Sequence, residues 1–246
     1  MKRILATLIA LLLPGALWAA TPTCTSLGTA SGAMGSSAVL TIPNVTIGAS
    51  NGYLAVLFGY RSRTITVTSV VRNGQSLTSI GSLADADDAI SAHMYRYVNP
   101  SVGTFDVVIT LSGTFSGSAA GGAISCLDVH QGTSEGTAAS NQGSGSVTAT
   151  VTSASGELVI SVAAKNDGNV QPPTLSIAGG ATQLFNVTST DGVGSDVVVA
   201  ASYKAGAASV DMDWTGSSGP LDVVGISLKP TAAATPVRQR QVMILP

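Results

Sequence analysis

The chain has 246 residues, a formal net charge of −2 and a mean hydropathy of +0.40, and only 10% of its residues are charged. This composition provides no basic surface for nucleic acid, because phosphate binding depends on clustered Lys and Arg. The two histidines and two cysteines have no spacing that supplies three or four zinc ligands. The scarcity of reactive side chains favours a surface or binding module over an enzyme.

The N-terminal segment has the pattern of an export signal. Lys2 and Arg3 precede an apolar run at residues 4–13, and small residues follow up to Ala20. This pattern predicts a signal peptide over residues 1–20 and a secreted or cell-surface product. The apolar run, of roughly ten residues, is too short to span a bilayer, so we expect no membrane span after cleavage.

Residues 21–230 are predicted to form one all-β domain. Apolar runs of strand length, separated by turn residues, occur at 39–47, 53–60, 64–71, 90–98, 105–111 and 123–129, and again at 147–151, 158–164, 182–187, 197–203, 210–214 and 223–228. Such a series predicts a single antiparallel β-sandwich of about a dozen strands. Asn73-Gly74, between two short strand patterns, predicts a hairpin turn.

The two halves of this domain share a pattern. The segment beginning at Leu54 matches the one beginning at Leu158, and the one around Ile124 matches the one around Ile226. In the same alignment Tyr97 corresponds to Tyr203. We therefore expect one sandwich built from two pseudo-repeated halves, because each half alone is close to the size limit for a stable core.

Several motifs resemble a known module. They are residues 73–78, 94–100, 103–113, 156–159 and 223–230. Together they resemble a largely uncharacterised β-sandwich module that recurs in secreted bacterial proteins and phage tail-associated proteins, over roughly residues 38–230. The resemblance implies a jelly-roll-like sandwich attached to surface or adhesive proteins, and it implies no catalytic residues.

One motif indicates a hydrolase. Residues 132–136 fit the pattern G-x-S-x-G around Ser134, with His130 nearby. That chemistry needs a strand before the serine and a helix after it. A strand pattern precedes Ser134, but a polar Gly/Ser-rich segment follows, so the interpretation we favour is an ordinary loop. A glycosidase would need two paired carboxylates, and nothing in the sequence pairs Glu135 with Glu157.

An acidic segment and three tyrosines are the remaining binding candidates. The clustered carboxylates of Asp85, Asp87 and Asp88 are interpreted first as a solvated turn, the alternative being a structural calcium site. Asp191 and Asp196 flank a second acidic loop. Tyr95, Tyr97 and Tyr203 could line a sugar-binding face or fill cross-strand positions. His93 shares a face with Tyr95 and Tyr97 and is expected to be solvent-exposed or part of an aromatic patch.

Two further features concern assembly and stability. In an oxidising compartment Cys24 and Cys126 can form a disulfide, the alternative being two free thiols. Residues 231–246 are predicted to be a linker and a short apolar tail. The tail either frays, pairs within its own chain, or adds a strand to another subunit.

These observations rank three functions. The first is an exported, non-catalytic surface-structural or adhesion module, whose partners are other surface proteins or, by self-assembly, copies of itself. The second is a carbohydrate-binding module assisted by calcium. The third is a serine hydrolase using Ser134. We expect no cofactor other than the structural calcium, and no nucleic-acid partner.

Overall fold

The computed structural model describes residues 19–49, 52–84, 90–166, 174–189 and 196–232. In these ranges regular structure consists of β-strands, with no helix, so the prediction of an all-β antiparallel fold is confirmed. The same ranges contain no helix long and apolar enough to cross a membrane.

Fifteen strands are present in the described residues. In chain order they are β1 (Thr23–Ala33), β2 (Val39–Ile47), β3 (Tyr53–Tyr60), β4 (Val67–Arg72), β5 (Gln75–Ser76), β6 (Thr78–Ala84), β7 (Ser91–Val98), β8 (Gly103–Leu111), β9 (Ser118–Leu127), β10 (Ala139–Thr152), β11 (Leu158–Asn166), β12 (Leu175–Ile177), β13 (Thr182–Ser189), β14 (Val197–Ala205) and β15 (Ser209–Leu228).

The strands form three antiparallel sheets. Sheet A has the order β1-β9-β3-β7-β6, and sheet B has the order β2-β8-β4-β5. Sheet C has the order β10-β15-β11-β14-β13, with β12 paired to β15. Sheet A contains strands of the first half of the domain and sheet C contains strands of the second half. When the strands of each sheet are numbered in chain order, both sheets have the spatial order first, fifth, second, fourth, third, apart from the extra strand β12 in sheet C.

Each strand's sequence reflects how many of its faces are covered. In β8 the second half alternates between buried and half-exposed residues, as expected for a strand with one face toward solvent. In β3 all eight residues are buried, because sheet B covers one face of sheet A and sheet C covers the other. Continuous apolar runs in β3 and β11 therefore mark strands buried on both faces.

Three hydrophobic layers follow from this stacking. Between sheets A and B lie side chains such as Val56 and Ile109. Between sheets A and C lie Leu57 and Val162. On the outer face of sheet C, a further layer surrounds the fully buried Trp214. The indole Nε1 of Trp214 donates a 3.1 Å hydrogen bond to Ser161 Oγ.

Sheet C folds over itself to make this last layer. The first part of β15 pairs with residues 146–152 of β10 and with β12, whereas its last part pairs with β11 and with residues 139–144 of β10. The register of β10 against β15 shifts between Ser144 and Ser146, where both strands bend. The fold is therefore sandwich-like, but it contains three sheets and more strands than the single sandwich of about a dozen that we predicted.

The strand register corrects the alignment of the two halves. Ala55 pairs with Ile124 and Arg96, and Ile160 pairs with Ile226 and Tyr203. With Ile124 and Ile226 taken as equivalent, the counterpart of Tyr203 is Arg96 rather than Tyr97, and the counterpart of Leu54 is Val159 rather than Leu158. A slip of one residue exchanges the two faces of a strand, so this error placed Tyr97 on the wrong face relative to Tyr203.

A disulfide joins Cys24 of β1 to Cys126 of β9. The two residues are directly opposite each other in the ladder, and both lie in the layer between sheets A and C. The bridge fixes the first strand of the domain to the strand that pairs with β3 in sheet A.

Candidate functional site

The connection between the two halves, residues 128–138, runs beside the end of β15. The amide of His130 donates to the Lys229 carbonyl at 2.8 Å, and the amide of Lys229 donates to the Ser134 carbonyl at 2.8 Å. Gly136 continues the pairing with a 3.0 Å bond to the carbonyl of Ser227. This connection therefore behaves as an irregular extra strand of sheet C.

The G-x-S-x-G motif lies in this connection, where Ser134 is buried and the nearby His130 accepts hydrogen bonds from the backbone. Ser134 is only 2% exposed. His130 Nδ1 accepts hydrogen bonds from the amides of Gly132 (3.1 Å) and Thr133 (2.9 Å), which closes a tight turn. After the motif the chain enters β10 at Ala139, so the strand–turn–helix arrangement of a nucleophile elbow is not formed here.

Glu135 points from the same connection toward the first half. Its Oε1 lies 2.8 Å from Nε of Arg96 on β7. Burial raises the pKa of the nearby Tyr53 well above its ordinary value, and the negative charge of Glu135 raises it further. The ion pair therefore links the connection to sheet A, with Tyr53 kept in its neutral form.

A cleft of about 510 Å³ opens on the other side of the connection. It is lined by side chains and backbone from three segments: Gly136, Thr137, Thr152, Ser153, Ala154, Glu157, Ser227 and Lys229. Hydroxyl groups, one carboxylate and one ammonium group therefore surround a space of ligand-binding size.

Local hydrogen bonds hold the carboxylate of this cleft in place. Glu157 Oε2 accepts from Ser153 Oγ and from the Ala154 amide, both at 3.1 Å. Lys229, the residue after the end of β15, is half-buried and also lines the cleft. Together with the exposed Thr152, the two charged groups can hydrogen-bond a small polar molecule, and both signs of charge are available to it.

His93 is buried in a stack of aromatic rings. It lies between Phe58 and Tyr60, with ring centroids 5.2 Å away on each side, and it is 8% exposed. Burial lowers the pKa of His93 to about 4. Of the two expectations for this residue, the aromatic patch is the one found.

The structure does not gather the three predicted tyrosines. Tyr95 and Tyr97 are half-buried on the face of β7 that packs toward sheet B. Tyr203 packs into the layer between sheets A and C, on the opposite side of sheet A. These three side chains therefore do not line one face, and none of them lines the cleft.

The predicted calcium ligands Asp85, Asp87 and Asp88 lie outside the described residues, as does Asp191. Asp196 is described. Within the described ranges no group of three or more His, Cys, Asp or Glu side chains is placed to hold a metal ion.

Sequence reasoning missed the cleft. Glu157 was considered only as one of two glutamates, and Lys229 was not considered at all. The sequence near Glu157 did contain an indication of its position. Ser153, four residues earlier, donates a hydrogen bond to the Glu157 carboxylate, and serine is a residue that commonly stabilises turns in this way. Nothing local indicated Lys229, which reaches the cleft through the pairing of β15 with the connection.

Comparisons with known proteins add little here. No family model and no curated protein matches the chain. Among solved structures, a conserved protein of unknown function from Pseudomonas aeruginosa PAO1 is similar to it over 86% of this chain and 100% of its own. The sequence identity is 10% and the TM-score is 0.27, so this likeness carries no argument about fold or function.

Proposed function

We propose that this chain is an exported, non-catalytic module of a cell-surface or adhesive structure. The observation that carries the proposal is that the side chains of the candidate hydrolase motif and its neighbour His130 are buried or engaged in contacts within the fold. Ser134 is buried, His130 closes a turn, and Glu135 pairs with Arg96. The disulfide between Cys24 and Cys126 supports an oxidising destination.

The high mean hydropathy is accounted for by the three stacked layers rather than by an outer apolar patch. Only three large hydrophobic side chains in the described residues are exposed, namely Val39, Val102 and Leu127. A protein that assembles through a broad apolar surface would expose more. We therefore propose that self-assembly depends on residues 237–246, which lie outside the described residues, adding as a strand to a sheet edge of another subunit.

The jelly-roll-like description and the duplication of the two halves belong to this proposal. The equal strand orders of sheets A and C support duplication. The resemblance to modules of secreted bacterial and phage tail-associated proteins supports a surface location.

The test is the assembly state of the processed protein. Size-exclusion chromatography with light scattering and negative-stain microscopy should show oligomers or fibres, and adhesion to a surface should be measurable. Deletion of residues 237–246 should leave a monomer, whereas Arg238→Gln with Arg240→Gln should assemble normally if apolar residues donate the strand. A strictly monomeric, non-adherent full chain would contradict the proposal.

The cleft favours a second candidate, a carbohydrate-binding module. Its hydroxyl groups, together with Glu157 and Lys229, match the donors and acceptors of a sugar. A glycan array, run with and without chelator, should give signals that Lys229→Gln removes. Lys204→Gln is the matched control, because Lys204 is also half-buried but lies on β14, outside the cleft. Silence on the array under both conditions would remove this candidate.

A further inference from the structure

The hairpin between β4 and β5 contains an exposed Asn73-Gly74 turn. Both residues have positive φ, 50° at Asn73 and 71° at Gly74, as a two-residue type I′ turn requires. The hairpin is short, since β5 has two residues and only two residue pairs join it to β4. The base of the hairpin is held by the Leu77 amide, which donates to the Val70 carbonyl at 2.8 Å, and by the side chain of Arg72, so opening is confined to the turn and the exposed strand β5.

The groups of this turn are open to solvent. Asn73 and Gly74 are both exposed, and no atom lies within 4 Å of the position that a Cβ at Gly74 would occupy. The side-chain amide of Asn73 makes a 3.5 Å contact with Ser101 Oγ, which is at the limit of a hydrogen bond. Neither steric cover nor a strong hydrogen bond protects this amide.

We propose that Asn73 is a site of spontaneous deamidation and isomerisation. When the hairpin opens, the backbone nitrogen of Gly74 attacks Cγ of Asn73. The new N–Cγ bond closes a succinimide ring and the Cγ–Nδ2 bond breaks. The amide proton of Gly74 is transferred, so that the side-chain nitrogen leaves as ammonia.

Water then opens the ring at one of its two carbonyl carbons. Attack at one carbon gives aspartate at position 73, and attack at the other gives isoaspartate, in which the main chain passes through Cβ and Cγ. Water is the only co-reactant, and no group is oxidised or reduced. Isoaspartate lengthens the backbone at the turn, so the pair formed by Arg72 and Gln75 is lost in that product.

Two other exposed asparagines show how the residue that follows an asparagine affects its deamidation when the backbone conformation is similar. Asn44 and Asn99 also have positive φ, 55° and 58°. Asn44 precedes the β-branched Val45, which obstructs the attacking nitrogen. Asn99 precedes a proline, which has no N–H. Asn73 is the position in this comparison that combines exposure, a glycine neighbour and a weakly held turn.

The experiment is incubation of the disulfide-intact full chain in mildly alkaline buffer, followed by peptide mapping with mass spectrometry and enzymatic labelling of isoaspartate. We expect the mass gain of one deamidation and the isoaspartate label at Asn73, with Asn44 and Asn99 unmodified. Asn73→Gly keeps a turn that accepts positive φ and should lose both signals. The far-UV circular dichroism of this variant should match that of the natural chain.

Two outcomes would overturn the proposal. One is an unmodified Asn73 under conditions in which Asn51, which also precedes a glycine, is converted. The other is modification of Asn44 at the rate of Asn73, which would show that the glycine neighbour and the open turn have no effect.

Discussion

Acidification should destabilise this protein through one buried side chain, His93. The ring is stacked between Phe58 and Tyr60, and its Nε2 has no hydrogen-bond partner within the described part of the chain. Burial lowers the pKa of His93 from 6.5 to about 4, because the charged form would lose its hydration there. The folded chain therefore keeps the neutral imidazole at pH values where the unfolded chain binds a proton.

The sign and size of the effect follow from this difference. Below pH 6.5 the unfolded state binds more protons at this residue than the folded state, so the free energy of unfolding falls as the pH falls. The loss due to His93 grows down to about pH 4 and then levels off. A pKa difference of this size corresponds to about 3 kcal/mol.

The assay is urea unfolding at a series of pH values, followed by the fluorescence of the buried Trp214 and by circular dichroism. His93→Phe keeps a ring in the stack and removes the titration, so its stability should fall less between pH 6.5 and 4 than that of the natural chain. His130→Asn is the control, because it leaves His93 intact and should keep the full dependence. Equal pH dependence of His93→Phe and the natural chain would refute the reasoning, whatever the carboxylates contribute.

Three further predictions concern stability and are measured by denaturant unfolding. Replacing Cys24 and Cys126 by alanine should lower the free energy of unfolding by about 4–5 kcal/mol, since the bridge closes a loop of 102 residues; a loss below about 1 kcal/mol would contradict the loop-entropy estimate. Gly59→Ala should cost about 1–3 kcal/mol, because the new Cβ would lie 2.5 Å from the Cβ of Ala164, whereas Gly32→Ala, with no atom within 4 Å, should be nearly neutral. Arg72→Leu should cost about 3 kcal/mol, because the guanidinium donates to three backbone carbonyls; an unchanged midpoint would show that water replaces it.

Periodicity predicted the strands well but not their pairing. A strand covered on one face, such as β8, alternates between buried and half-exposed residues, and a strand covered on both faces, such as β3, is buried throughout. The apolar pattern of the sequence therefore indicates directly how many faces of a strand are covered. Long-range register is not recorded in this way. Aligned on Ile124 and Ile226, the matches of Tyr97 to Tyr203 and of Leu54 to Leu158 are each one residue off, and a slip of one residue exchanges the two faces of a strand.

The candidate cleft was harder to predict than the fold. Its carboxylate, Glu157, is held by neighbours in sequence and was in principle visible. Its ammonium group, Lys229, is brought there only because the connection between the halves pairs with the end of β15. The third layer was missed for a similar reason, since a bend within a continuous strand such as β15 leaves the apolar alternation on either side intact.

The position of the disulfide also decides how the fold carries load. A pull on the chain ahead of Cys24 does not peel β1 away one residue pair at a time, because the covalent bond delivers the force directly to Cys126 in β9. That strand is hydrogen-bonded along both edges and lies next to Tyr53. The first strand of the domain therefore cannot separate from β9 at this end while the bond is intact, even if its backbone hydrogen bonds open.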